Sequence, residues 1–186
     1  NARSVERAQE LARDVRVVAN GGHLSAEDPD IGRRESWGVS WELMVPHSTD
    51  LNLETHNGGI TISDVRGQIR FDALNGGVHL SGTGGDVEGH TTNGGLHVVL
   101  DGNGWDDSGL DVETTNGGVT VSVPRNYSAQ VETGTVNGGI DVDFPVTVQG
   151  RIGRSLDLRL GEGGRTVRVM TTNGGVKIVR SVGRQI

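Results

Sequence analysis

Aliphatic and polar residues alternate along most of this chain, and the alternation restarts at a recurring landmark. Three and five residues after Asn57, Asn75, Asn93, Asn116, Asn137 and Asn173 stand Ile60/Ile62, Val78/Leu80, Leu96/Val98, Val119/Val121, Ile140/Val142 and Val176/Ile178. Six, four and two residues before the same asparagines stand Leu51/Leu53/Thr55, Ile69/Phe71/Ala73, Val87/Gly89/Thr91, Leu110/Val112/Thr114, Val131/Thr133/Thr135 and Val167/Val169/Thr171. Alternation with period two, rich in β-branched residues, predicts half-buried strands on both sides of each landmark.

The landmark is Asn-Gly-Gly. It occurs as Asn20-Gly21-Gly22, Asn57-Gly58-Gly59, Asn75-Gly76-Gly77, Asn93-Gly94-Gly95, Asn116-Gly117-Gly118, Asn137-Gly138-Gly139 and Asn173-Gly174-Gly175, with gaps of 37, 18, 18, 23, 21 and 36 residues. Asn-Gly between alternating strands is a hairpin signal, and seven hairpins would make an antiparallel meander. A repeat near 20 residues points instead to a coiled array. In such an array equivalent positions stack ~4.8 Å apart, which explains why one residue type recurs at one offset. The fold class predicted is all-β: a single-stranded β-solenoid, or β-helix, of 18–23-residue rungs. The triplets from Asn57 to Gly175 are its structural corner ladder, with glycine supplying positive φ. A second corner is expected near Val65-Arg66-Gly67 and Thr83-Gly84-Gly85.

The ends break the pattern. Residues 4–13 place Val5, Ala8, Leu11 and Ala12 on one helical face behind Ser4, a candidate N-cap. The domain reading is a capping helix or linker over 1–14 and a solenoid over 15–186. Gly38 to Val45 reads as a strand with Val39, Trp41, Leu43 and Val45 inward, and Trp37 and Trp41 read as end-core residues. Between Phe144 and Gly164 the triplet is missing, and Leu156/Leu158/Leu160 suggest a degenerate rung. The rung from Thr171 to Ile178 is followed by no obvious cap. An open end of that kind could pair head to tail with another copy and build a filament.

Composition narrows the function. Of 186 residues, 31 are glycine and six are aromatic, so small aliphatics must fill the core. No apolar run reaches the ~18–20 residues of a membrane-spanning helix. The formal charge of −7 disfavours nucleic acid. The absence of cysteine excludes disulfides, thiolate metal sites and a cysteine nucleophile, and suits an exported protein. The chain begins at Asn1 without a signal peptide, which fits processing or trimming.

The T-N-G-G-[VI]-x-[VI] repeats resemble those of a bacterial adhesin-domain family of unknown function. The Val45-Pro46 strand end, Asp50 to Leu53, and the Leu156 to Gly164 stretch are similar too. The resemblance covers about residues 15–182. It implies a single-stranded β-solenoid, exported or attached to the cell envelope, with no established enzymatic activity.

Candidate chemistry is sparse. His79 and His97 should be rung neighbours able to hold Zn²⁺ or Cu²⁺, but Thr61 and Thr120 flank them and supply no third ligand, so two solvated histidines are expected. Glu88, Asp111, Glu132 and Glu113 should form an acidic patch, expected to be a solvated face, with weak Ca²⁺ binding and then acid/base work on a polysaccharide as the alternatives. The loop from Asp101 to Ser108 has calcium-like residues without the required spacing. Trp105 there could stack on a sugar or a partner, or fold back over its rung. No phosphate loop and no nucleophile elbow occurs. The expectation is therefore a non-enzymatic, extracytoplasmic, adhesin-like module with no catalytic residue, cofactor or metal. Its expected partner is a protein or glycan surface. The alternatives are a self-assembling filament subunit and a glycan-binding or polysaccharide-degrading β-helix protein.

Overall fold

A computed structural model describes residues 5–27, 32, 35–146 and 153–181. The chain divides into two compact units, residues 1–44 and 45–186. The first contains helix α1 (Val5–Asp14), with Leu11 its buried residue, and a hairpin of β1 (Arg16–Asn20) and β2 (His23–Glu27). Ala8 and Ala12 are exposed, and Val5 is 70% exposed, so the expected apolar face reduces to Leu11. Ser4 lies outside the described residues. Within this unit Glu35 Oε1 accepts from Arg7 Nε at 3.1 Å.

The first Asn-Gly-Gly copy is a hairpin turn and not a rung corner. Asn20 pairs with His23 across Gly21 and Gly22, whose φ angles of 57° and 85° are those of a tight two-residue turn. Gly38 to Val45 forms no strand. Trp41, Leu43 and Met44 are 44%, 56% and 100% exposed, and Trp37 is half-buried, so the inward stripe and the end-core tryptophans expected there are absent. Alternation alone does not make a strand when no neighbour supplies its hydrogen bonds.

The second unit winds between two sheets. Its strands are β3 (Leu51–Asn57), β4 (Ile60–Ser63), β5 (Arg66–Asn75), β6 (Val78–Ser81), β7 (Gly84–Asn93), β8 (Leu96–Val99), β9 (Gly109–Asn116), β10 (Val119–Val123), β11 (Ala129–Asn137), β12 (Ile140–Val142), β13 (Ser155–Leu160), β14 (Thr166–Asn173) and β15 (Val176–Arg180). The larger sheet runs β3-β5-β7-β9-β14-β11-β13 and the smaller β4-β6-β8-β10-β15-β12. Every pairing is parallel except β11 with β13. Parallel pairing overturns the hairpin meander for the six copies from Asn57 onward. Inward aliphatics of both sheets, among them Ile69, Val112, Val169, Leu80, Val121 and Ile178, share one buried cluster.

Strand order departs from sequence order at one place. The final pair, β14–β15, sits between β9–β10 and β11–β12. The rung expected to form an open end is therefore flanked on both sides. Arg180 fastens it: Nη1 donates to Pro124 O at 2.8 Å, and the guanidinium lies 3.8 Å from the Phe144 ring centroid. The expected degenerate rung is instead the antiparallel edge strand β13, and its register Ala129↔Leu160 to Gly134↔Ser155 covers one side of β11.

At the corners, asparagine side chains form one ladder. Each Nδ2 donates to the next Oδ1 in the order Asn137, Asn173, Asn116, Asn93, Asn75, Asn57, at 2.7–3.2 Å. Buried threonines complete the corner. The Oγ1 atoms of Thr91, Thr114, Thr171 and Thr135 donate to the carbonyls of Gly76, Gly94, Gly117 and Gly174 at 2.7–2.9 Å. The glycines are needed for a reason other than positive φ. Of these six triplets only Gly58, at φ 142°, lies in the left-handed region. Instead, a Cβ at Gly76, Gly94, Gly117, Gly174 or Gly138 would overlap the carbonyl of the glycine stacked beneath it. At the second corner the positive φ angles belong to Asp64 (54°) and Gly82 (60°), in the turns just before β5 and β7, and to Gly67 (152°) and Gly85 (98°) at the starts of those strands, where glycine was expected.

Candidate binding groove

The outward positions of the larger sheet build a concave feature that gathers charged side chains. It is an open groove of about 440 Å³ running from Asn52 and Glu54 on β3 to Arg168 on β14. Parallel register makes each outward offset a row across the sheet. One row reads Asn52, Arg70, Glu88, Asp111, Arg168, Glu132, and the next reads Glu54, Asp72, His90, Glu113, Met170, Gly134. Beneath them Phe71 is 4% exposed and lies under Gly89, where any Cβ would run into its ring.

The expected acidic patch is not continuous. Because β14 is interposed, Arg168 stands between Asp111 and Glu132 and pairs with Asp111. Arg70 donates through Nη2 to Asp86 at 2.8 Å, and its Nε lies 3.1 Å from Glu88 Oε2. The hydrogen bond to Asp86 raises the Arg70 pKa above its ordinary value. His90 Nδ1 is shielded from solvent and 3.4 Å from Glu113 Oε1, out of line for a hydrogen bond. Its Nε2 faces the hydroxyls of Thr92 and Thr115 at 3.4 and 3.5 Å. The groove therefore mixes arginine donors with carboxylate acceptors. Both arginines stand at this offset in the sequence, but the charge pattern needed the strand order, which the sequence does not reveal.

Trp105 does not present itself to a partner. It is 8% exposed and its Nε1 donates to Gly85 O at 3.0 Å, so the indole folds back over the β7 rung. The loop around it is drawn in as well: Ser128 N donates to Asn103 O at 2.8 Å, and Asp106 pairs with Arg66. Among the described residues no three His, Asp or Glu side chains converge as a metal site. None of their helices is long and apolar enough to cross a membrane. On the smaller sheet His79 and His97 do stack, with ring centroids 4.8 Å apart and planes at 62°. Thr61 and Thr120 flank them in register. Burial first, and then His79, push the His97 pKa below its ordinary value.

The model of a family described as Toastrack DUF4097 matches residues 12–179. The chain belongs to this Toastrack family. Its function is unknown, and the match spans both the hairpin and the paired sheets. No curated protein and no solved structure matches the chain. For this Toastrack chain, function must therefore be argued from the groove and the sheet faces themselves.

Proposed function

We propose that this Toastrack chain is a non-enzymatic, adhesin-like binding module acting outside the cytoplasm, its two sheets wound as one β-solenoid and its larger sheet open to a glycan. The observation that carries the reading is that Arg70 and Arg168 are set among the groove's carboxylates, each paired with one of them. Such a surface offers paired donors and acceptors to successive hydroxyls, while the ladders hold it rigid and so reduce the entropy lost on binding. Catalysis fits less well. Glycoside hydrolysis needs two carboxyl groups free to act as acid and as base or nucleophile, and Glu88 and Asp111 are each engaged by an arginine.

A glycan array with the purified chain tests this. Saturable binding without turnover, weakened by Arg70→Ala and Arg168→Ala, is the expected result. Turnover abolished by Asp111→Asn or Glu113→Gln would place the protein among polysaccharide-degrading enzymes instead. Binding to protein baits alone would replace the glycan as partner.

A further inference from the structure

The smaller sheet carries a second feature, separate from the groove. His79 and His97 are register partners on the adjacent parallel strands β6 and β8. Both point outward, because Val78 and Leu80 on one strand and Leu96 and Val98 on the other are buried. The buried neighbours and the strand ladder fix the two Cα positions, so the imidazoles are brought side by side before any ligand arrives. Their centroids lie 4.8 Å apart. An ion bound by both rings needs metal–nitrogen distances of ~2.0–2.1 Å, which small side-chain rotations supply from this starting point.

We propose that His79 and His97 form a two-imidazole site for a late first-row divalent ion, with Cu²⁺ the preferred occupant. The donor chemistry sets the class of ion. Imidazole nitrogen suits Cu²⁺, Ni²⁺ and Zn²⁺, whereas Ca²⁺ and Mg²⁺ require oxygen ligands. The register neighbours Thr61 and Thr120 offer only hydroxyls, so two protein nitrogens leave the remaining positions to water. An ion satisfied by two in-plane nitrogens and water is favoured at such a site, and the Irving–Williams order places Cu²⁺ above Zn²⁺. Imidazole must be neutral to ligate, and the partly desolvated setting of His97 works in that direction.

The test uses the full chain, CuCl₂ and ZnCl₂. Calorimetric titration should give one Cu²⁺ site per chain that binds at least tenfold more weakly in His79→Asn and in His97→Asn. Zn²⁺ should bind more weakly than Cu²⁺, and His56→Asn should leave Cu²⁺ binding unchanged. Paramagnetic broadening of amide signals in the unmodified protein should centre on Thr61, His79, His97 and Thr120, which locates the ion without relying on a folded variant. Binding that survives in the double variant, or broadening centred on His23, His47, His56 or His90, overturns the site.

Discussion

At Gly76, Gly94, Gly117, Gly138 and Gly174, the first glycines of five corners, the constraint is room. A Cβ on Gly117 would overlap the Gly94 carbonyl, whereas one on Gly118 would lie 3.5 Å from Gly175 O, an ordinary contact. Gly117→Ala should therefore cost about 1–3 kcal/mol by forcing backbone apart, and Gly118→Ala should stay within ~0.5 kcal/mol. Denaturant titration of the two variants reads the difference; equal costs would refute the packing account. The same stacking governs chemistry at the asparagines. Asn-Gly deamidates when the glycine nitrogen attacks the side-chain amide, expelling ammonia and leaving a succinimide that water opens. The amides of Gly58, Gly76, Gly94, Gly117 and Gly174 are each committed to the asparagine carbonyl of the next rung at 2.9–3.1 Å. Among the described residues Gly21 and Gly138 make no such bond. Peptide mapping after incubation at mildly alkaline pH should find conversion concentrated at Asn20 and Asn137.

Between strands, size is matched in pairs. Phe71 occupies the space that a side chain at Gly89 would need. Gly89→Ala should destabilise the protein by about 1–3 kcal/mol, and Phe71→Leu in the same chain should relieve part of that loss; strictly additive effects in the double-mutant cycle would show that the two do not interact. The stacked histidines give the smaller sheet a pH dependence. Because the His97 pKa is lowered in the folded state, the unfolded chain takes up this proton more readily. The stability it contributes is complete above the unfolded value of ~6.5 and is lost as pH falls through the folded value. Thermal unfolding between pH 7 and 5 should show a slope that His97→Gln flattens. Strand positions, inward faces and the His79–His97 contact were legible in the sequence because period-two alternation and a fixed offset encode them directly. The burial of Trp105 and the failure of Val39 to Val45 to form a strand were not, since both depend on whether a neighbouring backbone or cavity is present. The positive φ expected of the corner glycines holds at Gly58, Gly67 and Gly85; at Gly76, Gly94, Gly117, Gly138 and Gly174 what excludes a side chain is the next rung.

In the whole molecule the least legible feature was order in space. Every rung from β3–β4 to β14–β15 carries the same signature, so nothing local announces that the last pair lies between two earlier ones. That placement broke the acidic row with Arg168 and put neighbours on both sides of the last pair. It also bears on how the chain assembles. Synthesis delivers β3 through β10 in the order in which they stack, so each can settle on its predecessor. The strands β11 and β12 arrive next, with their final neighbours still missing. They must wait, or dock wrongly on β9 and β10 and let go. Amides on β10 that are satisfied only by the last pair, such as Val119 N to Gly175 O at 2.9 Å, should become protected after Ile60 and Val78 in pulsed hydrogen exchange during refolding; simultaneous protection would contradict this order. Completion is thus a late, long-range event, of the kind that slows folding. If the chain is carried out of the cytoplasm as an unfolded thread, this architecture keeps it from finishing until its last strands have emerged on the far side.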